Sequence, residues 1–157
     1  MAETIQSTDY HDYVIKDGRF IGAFEQMYRH CPDPWHQDDP DVGGLAEDIG
    51  LAMLSRQKYT RTLDLGCGKG RFTNGIFQST GSQVTGVDTS PTAIEIARSR
   101  YPGIDFQVAT APTLPFPDGH FDLAVSAELL WYLLPSLQSF FAEVKRTLVK
   151  EGHYLVI

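Results

Sequence analysis

From Tyr59 onward the chain alternates short apolar runs with stretches of helical periodicity, and few folds accommodate that alternation. Strand, helix, strand in succession marks a parallel sheet wound with helices on both faces. The spacing predicts strands over 62–65, 83–87, 105–109, 121–126 and 153–157, with helices over 70–79, 91–100 and 136–149. Ser90 is the expected N-cap of the middle helix, with Pro91 at its first position, where a missing N–H removes no helical bond. The last helix puts Leu137, Phe140, Phe141, Val144 and Leu148 on one stripe. The expected architecture is α/β: a Rossmann-like, doubly wound, mostly parallel sheet.

The upstream segment reads differently. Residues 1–18 are polar and are expected to form an arm or lid carrying Tyr10, His11, Asp12 and Tyr13. Phe20, Ile21, Phe24, Met27 and Tyr28 follow helical spacing after the Asp17-Gly18 turn signal and predict a first helix. A Pro/Asp-rich loop from His30 to Asp41 stops it, because its prolines cannot continue a helix. Leu45, Ile49, Ala52 and Met53 predict a second helix reaching about Gln57. Residues 1–58 are thus expected to form a cap on a core spanning 59–157, the whole making one domain at this length.

Charge and composition exclude several classes. Thirteen basic residues against twenty acidic ones leave a net charge of −7 with no Lys/Arg block, unlike a binder of nucleic-acid phosphates. The longest apolar stretch, 123–134, is broken by Glu128 and is too short for the roughly 20 residues of a bilayer span. The first residues show neither a cationic start nor an apolar run, so a cytoplasmic protein is expected. Of the two cysteines, Cys67 sits among glycines, where a disulfide would obstruct tight turns. His30, Cys31 and His36 crowd three soft donors together, but no second cluster completes a four-ligand set, so no metal site is expected.

In a doubly wound sheet, ligands bind beyond the carboxyl ends of the strands. The first core strand ends in Leu63-Asp64-Leu65-Gly66-Cys67-Gly68-Lys69-Gly70. Either these glycines serve only a tight strand-to-helix turn, or they also admit a ligand against the backbone. Arg71 stands where a dinucleotide fingerprint needs its last glycine, which disfavours an NAD site. Asp64, placed just before the loop, suits a cationic ligand better than a pyrophosphate. Asp88 ends the second core strand twenty residues after Gly68, the place of a carboxylate that binds ribose hydroxyls. The alternative is that Asp88 caps the helix that follows. Loop and carboxylate together point to a nucleoside without phosphates.

Four segments in order, LDLGCGKG, VTGVDTS, LPFPDGHFDLAVSAELLWYL and LVKEGHYLVI, resemble the signature segments of class I S-adenosylmethionine-dependent methyltransferases over about residues 60–157. The resemblance implies S-adenosylmethionine as cofactor and S-adenosylhomocysteine as product. It implies that Asp64, Gly66, Cys67 and Gly68 line the methionine part, that Asp88 binds the ribose and that Thr89 flanks the adenine. Thr110 stands in VATAP where many relatives have an acidic residue; its hydroxyl would serve the adenine amino group, with Ala111 beside it and Ser126 at the end of the fourth strand. FEQMYRHCPDPW and SAELLWYL are further similar to the nodulation N-methyltransferases, which methylate a sugar amine. Relatives of this class continue into two more strands, so the chain, stopping at Ile157, is expected to be shortened or to have its sheet edge covered by a second copy or a partner.

The expected chemistry is displacement of a methyl group onto N or O of a small polar acceptor, a sugar or sugar amine. Glu128 is the first candidate to contact the acceptor, the alternative being a carboxylate satisfied by a helix dipole. Tyr132 and Trp131 are candidate pocket walls, with one of the two expected to point inward. His36 is a candidate base, and Trp35 either faces the sulfonium or anchors its loop in the core. The rival reading is a truncated or non-catalytic module that only binds the cofactor or its product.

Overall fold

A computed structural model describes residues 7–39, 44–111 and 113–157. Residues 1–6 of the expected arm, 40–43 of the expected loop and Pro112 lie outside the described residues. The sheet comprises β3 (Arg61–Leu65), β4 (Gln83–Asp88), β5 (Asp105–Val108), β6 (Phe121–Ser126) and β7 (Leu148–Val156). Its order is β5-β4-β3-β6-β7, and every neighbouring pair is parallel. The chain winds outward from β3 through β4 to β5, then returns to build β6 and β7 on the other side. That reversal opens a crevice above the C-terminal end of β3.

Alternation along the strands sends side chains to two cores. Leu63 and Leu65 of β3 pack with Val87, Ala124 and Phe121 on one face, against Phe140 and Val144 of α6 (Leu137–Thr147). Leu123 and Val125 of β6 join Val84 and Phe106 on the other, under Ile76 of α4 (Arg71–Thr80) and Ile94 and Ala97 of α5 (Pro91–Arg100). The expected cap of α5 is present: Ala93 N–H donates to Ser90 Oγ at 3.1 Å, with Pro91 leading the helix. No helix among the described residues is long and apolar enough to cross a membrane.

Several expectations need correction. The segment expected as an arm packs instead: α1 (His11–Val14) buries Tyr13 and Val14 in a third core with Met27, Tyr28 and Cys31. The first helix does not begin at Phe20, because the Asp17-Gly18 turn closes a short antiparallel hairpin of β1 (Ile15–Lys16) and β2 (Arg19–Phe20). The helix that follows, α2, spans Phe24–His30.

The second helix, α3 (Leu45–Leu54), ends before Gln57 because the next backbone bonds tighten to i→i+3, Arg56 N–H to Met53 and Gln57 N–H to Leu54. Its predicted apolar stripe faces outward, with Leu45, Ile49 and Met53 exposed, while Gly50 packs against Ile157 and Leu155. The last strand begins at Leu148, five residues earlier than expected. It pairs with Phe121 before an irregularity restores the register at Leu123 and His153.

Candidate functional site

The glycine loop is shaped by backbone geometry that side-chain-bearing residues rarely adopt. Gly66, Gly68 and Gly70 all have positive φ, at 75°, 52° and 85°. The Gly66 and Cys67 N–H groups both donate to the Val87 carbonyl at 2.8 and 2.9 Å, which folds the loop back onto the end of β4. Gly68 N–H donates to Asp88 Oδ2 at 3.0 Å, and Ser90 N–H donates to Asp88 Oδ1 at 2.9 Å. Asp88 therefore ties the loop to the start of α5, while Ser90 rather than Asp88 caps that helix.

Asp64 is fully enclosed within β3 and accepts a 2.6 Å hydrogen bond from Thr73 Oγ1. Burial raises its pKa to about 7, against the Thr73 bond, and the negative charges of Asp88 and Glu47 add to the rise. Burial also raises Asp88, while its bonds from Ser90, Gly68 and Thr89 backbone N–H groups oppose the effect. Two carboxyl groups thus face one crevice with their charge poorly compensated. A ligand that brings positive charge or hydroxyl donors to them is favoured there.

A cavity of about 660 Å³ opens over these residues. Asp64, Gly66, Cys67, Asp88, Thr89, Thr110 and Ala111 line one part of it, so seven of the expected cofactor residues come together. Thr110 sits on an isolated bridge with Thr113 just past β5. Gly68 lies behind the wall, where a Cβ would come 2.7 Å from the Tyr28 hydroxyl. Ser126 is buried beneath the floor, its Oγ 2.7 Å from the Tyr154 hydroxyl.

Rings from the cap, together with Tyr132 of the core, also line the cavity. Phe24, Trp35 and Tyr132 form mutual ring contacts with centroids 5.3 to 6.5 Å apart, joined by Phe20, Tyr28 and Tyr10. Tyr132 faces this space, whereas Trp131 is 71% exposed and bonds its indole N–H to Glu128 Oε2 at 3.3 Å. Glu128 lines the cavity with φ of 51°, a left-handed conformation held by its N–H donating to the Ile157 carbonyl at 2.8 Å. Strain of this kind gathers where a side chain must be aimed. Burial raises the Tyr132 phenol above its usual range, against a hydrogen bond with Trp35, so it remains a neutral donor.

His36 is placed elsewhere. It lines a separate cavity of about 380 Å³ with Asp9, His11, Cys31 and Asp33, not the large one. The sequence reading passed over Gln37, Glu47 and Phe72, which line the large cavity, and used Arg71 only as an argument against a dinucleotide. Their signal was position: Arg71 and Phe72 directly follow the glycine loop, and Gln37 follows the Trp35 loop.

Comparison with known proteins gives this geometry its family. The model of the methyltransferase domain matches residues 63–156, from the middle of β3 to the end of β7. The chain belongs to the methyltransferase domain family. These are class I S-adenosylmethionine-dependent enzymes, whose cofactor is S-adenosylmethionine. The protein is 35% identical to O-methyltransferase cnsE of Penicillium expansum over 133 residues, covering 80% of this chain and 47% of that one.

It is 37% identical to a demethylmenaquinone methyltransferase of Tropheryma whipplei over 157 residues, covering 96% of this chain and 64% of that one. A crystal structure of an S-adenosylmethionine-dependent methyltransferase from Mesorhizobium loti superposes with a TM-score of 0.63 at 32% identity, covering 72% of this chain and 53% of the other. The chain spans about half the length of curated relatives it matches, with shares of 47%, 56% and 49%.

The residues of this methyltransferase-family chain fit the cofactor. Gln37 Oε1 and Arg71 Nε are buried polar atoms without a protein partner, and both side chains line the cavity. The glycines leave the loop backbone open toward it, and Asp64 and Asp88 supply acceptors for cationic and hydroxyl groups.

Proposed function

We propose that this crevice holds S-adenosylmethionine and that the chain directs its methyl group to N or O of a small polar acceptor, a sugar or sugar amine. The observation that carries the reading is one continuous cavity with two unlike halves. One half has the glycine loop with Asp64 and Asp88; the other has the aromatic box with Glu128. When bound, the cofactor supplies an activated methyl group on a sulfonium. What remains for the protein is to align the acceptor and exclude water, which contributes up to about 7–11 kcal/mol in well-oriented reactions.

In this reading Asp88 receives the ribose hydroxyls. Its two oxygens accept backbone N–H groups of Gly68, Ser90 and Thr89 and keep lone-pair capacity for a hydroxyl donor. Gly66 and Cys67 border the methionine part beside Asp64, with Gly68 holding the loop from behind. Thr89, Thr110 and Ala111 border the adenine, and Ser126 supports the floor through Tyr154. Rings such as Trp35 and Tyr132 offer flat faces to the C–H surface of a sugar. Glu128 accepts the proton of a hydroxyl or ammonium, and Tyr132 donates to the acceptor. His36, in the neighbouring cavity, enters only if the Trp35 loop rearranges.

A second acceptor class has its own support: Phe20, Ile21 and Leu133 add apolar wall to the same space, which suits a hydroxyl on an aromatic or apolar body. The names of the relatives include O-methyltransferases and a fatty-acid O-methyltransferase. Transfer of labelled methyl from S-adenosylmethionine to a panel of amino sugars, sugars, phenols and hydroxylated lipids tests the assignment. Turnover of an amino sugar or sugar supports it; turnover of phenols or lipids alone replaces the acceptor. Cofactor binding with no turnover of any class leaves the non-catalytic module as the reading.

A further inference from the structure

Three of the rings that line the cavity are set as sides of a box and not as a stack. Phe24, Trp35 and Tyr132 each contact the other two, with centroids 5.3, 6.4 and 6.5 Å apart and planes at 79°, 41° and 52°. None of the three is fully buried, so part of each ring is open to the cavity. Rings with open faces attract a cation through the negative charge over their π systems.

Two contacts fix this box and Glu128 beside the glycine loop. Tyr28, T-shaped against Trp35 at 5.6 Å, brings its hydroxyl to 2.7 Å from where a Cβ of residue 68 would lie. Leu129 covers Gly66 at 2.9 Å from where a Cβ there would lie, which carries the preceding residue, Glu128, to the same loop. Glu128 is near enough to Tyr132 for its charge to help raise the phenol.

The charge that lines the cavity is mostly of one sign. Glu47, Asp64, Asp88 and Glu128 face Arg71, the one basic residue there among the described residues, and Arg71 is paired with Glu47 at 2.6 Å. An acceptor carrying a carboxylate or phosphate would meet unfavourable charge, whereas a cationic acceptor meets Glu128 and the rings.

We propose that the acceptor is an alkylamine, held as its ammonium ion by Phe24, Trp35 and Tyr132 with Glu128 as counter-charge. The inference narrows the acceptor of the function proposed above and rests on that reading. For transfer, the ammonium gives one proton to the Glu128 carboxylate. The nitrogen lone pair so freed forms the bond to the methyl carbon, and the electron pair of the breaking C–S bond stays with sulfur.

Calorimetric titration of the S-adenosylhomocysteine-loaded chain with choline and with 3,3-dimethylbutan-1-ol, a neutral alcohol of the same shape, tests it. Choline is expected to bind at least about tenfold more tightly than the alcohol. Tyr132→Leu is expected to bring the two affinities within about twofold, and Tyr132→Phe, which keeps the ring, to preserve the wild-type ratio. Glu128→Gln is expected to weaken choline about threefold and leave the alcohol unchanged. An alcohol that binds as tightly as choline, a ratio that survives Tyr132→Leu or Glu128→Gln, or binding of neither probe overturns the proposal. A chain that takes up no S-adenosylhomocysteine overturns the cofactor reading and this inference with it, and that result is seen before either probe is added.

Discussion

Lys69 Nζ, in the middle of the glycine loop, lies 2.6 Å from Asp33 Oδ1 in the Pro/Asp-rich segment, with its side chain 1% exposed. The same ammonium donates to Asp38 Oδ2 at 2.7 Å and to the Pro32 carbonyl at 3.0 Å, so all three of its protons are used. Asp38 is shared with Arg100 at the end of α5, and both cations hold its carboxyl down to about 2. The Pro/Asp-rich segment thus grips the glycine loop by a buried charge. Lys69→Met removes that grip and leaves Asp33 without its cation. Denaturant unfolding is expected to register a loss of about 1–3 kcal/mol, discounted from the fully buried case because both carboxylates are partly exposed.

Gly70 is a stricter position. With φ of 85° and an added Cβ 2.8 Å from the Phe106 ring and 3.1 Å from Ala97, alanine is opposed by both backbone and packing. Gly70→Ala is expected to cost about 1–3 kcal/mol, and thermal unfolding with matched Gly81→Ala isolates the packing part. Gly81 also has positive φ, at 64°, but open space around it.

Asp64 makes stability depend on pH in an unusual direction. Its proton is held up to about pH 7 in the folded chain, against an ordinary value of 3.8. Between those values the folded state binds more protons than the unfolded one, so this group's contribution is full at low pH and is lost as pH rises through about 7. Asp88 is displaced in the same direction. Asp64→Asn is expected to be more stable than wild type at pH 8, by up to a few kcal/mol, with the two converging near pH 4. A ligand placing positive charge beside Asp64 binds more tightly as pH passes 7, and the variant loses that rise.

The proposed role of Glu128 predicts an effect on turnover without one on cofactor binding. It is exposed where it lines the cavity, and its carboxylate accepts from the Trp131 indole N–H. Glu128→Gln is expected to lower methyl transfer by roughly 10²–10³-fold if its carboxylate accepts the proton, with S-adenosylhomocysteine affinity unchanged. Turnover at the wild-type rate removes Glu128 from the chemistry.

The core was readable because its strands announce themselves locally: Leu63 and Leu65 alternate with Asp64, and Ser90-Pro91 starts a helix by capping rules that need no tertiary context. The crevice was readable for the same reason, since Gly66, Asp88 and Thr110 sit where their strands end. The cap was not. Tyr13 sits in a polar stretch and becomes fully buried only because α2 and α5 close over it. Ile49 and Met53 have the spacing of a core helix, yet that face is turned to solvent. Lys69 carries no local signal of its role, because its partners Asp33 and Asp38 lie more than thirty residues upstream. Contacts between distant segments leave no local period to read.

The crevice between the glycine loop and Asp88 is proposed to bind a sulfur nucleoside and not a dinucleotide. Calorimetric titration of the wild-type chain and Asp88→Asn with S-adenosylhomocysteine, and of both with NADH, tests it most directly. Wild type is expected to bind S-adenosylhomocysteine and not NADH, and Asp88→Asn to lose about tenfold or more of that affinity while melting near the wild-type temperature. Binding of NADH in place of S-adenosylhomocysteine, or an Asp88→Asn affinity equal to wild type, would contradict it.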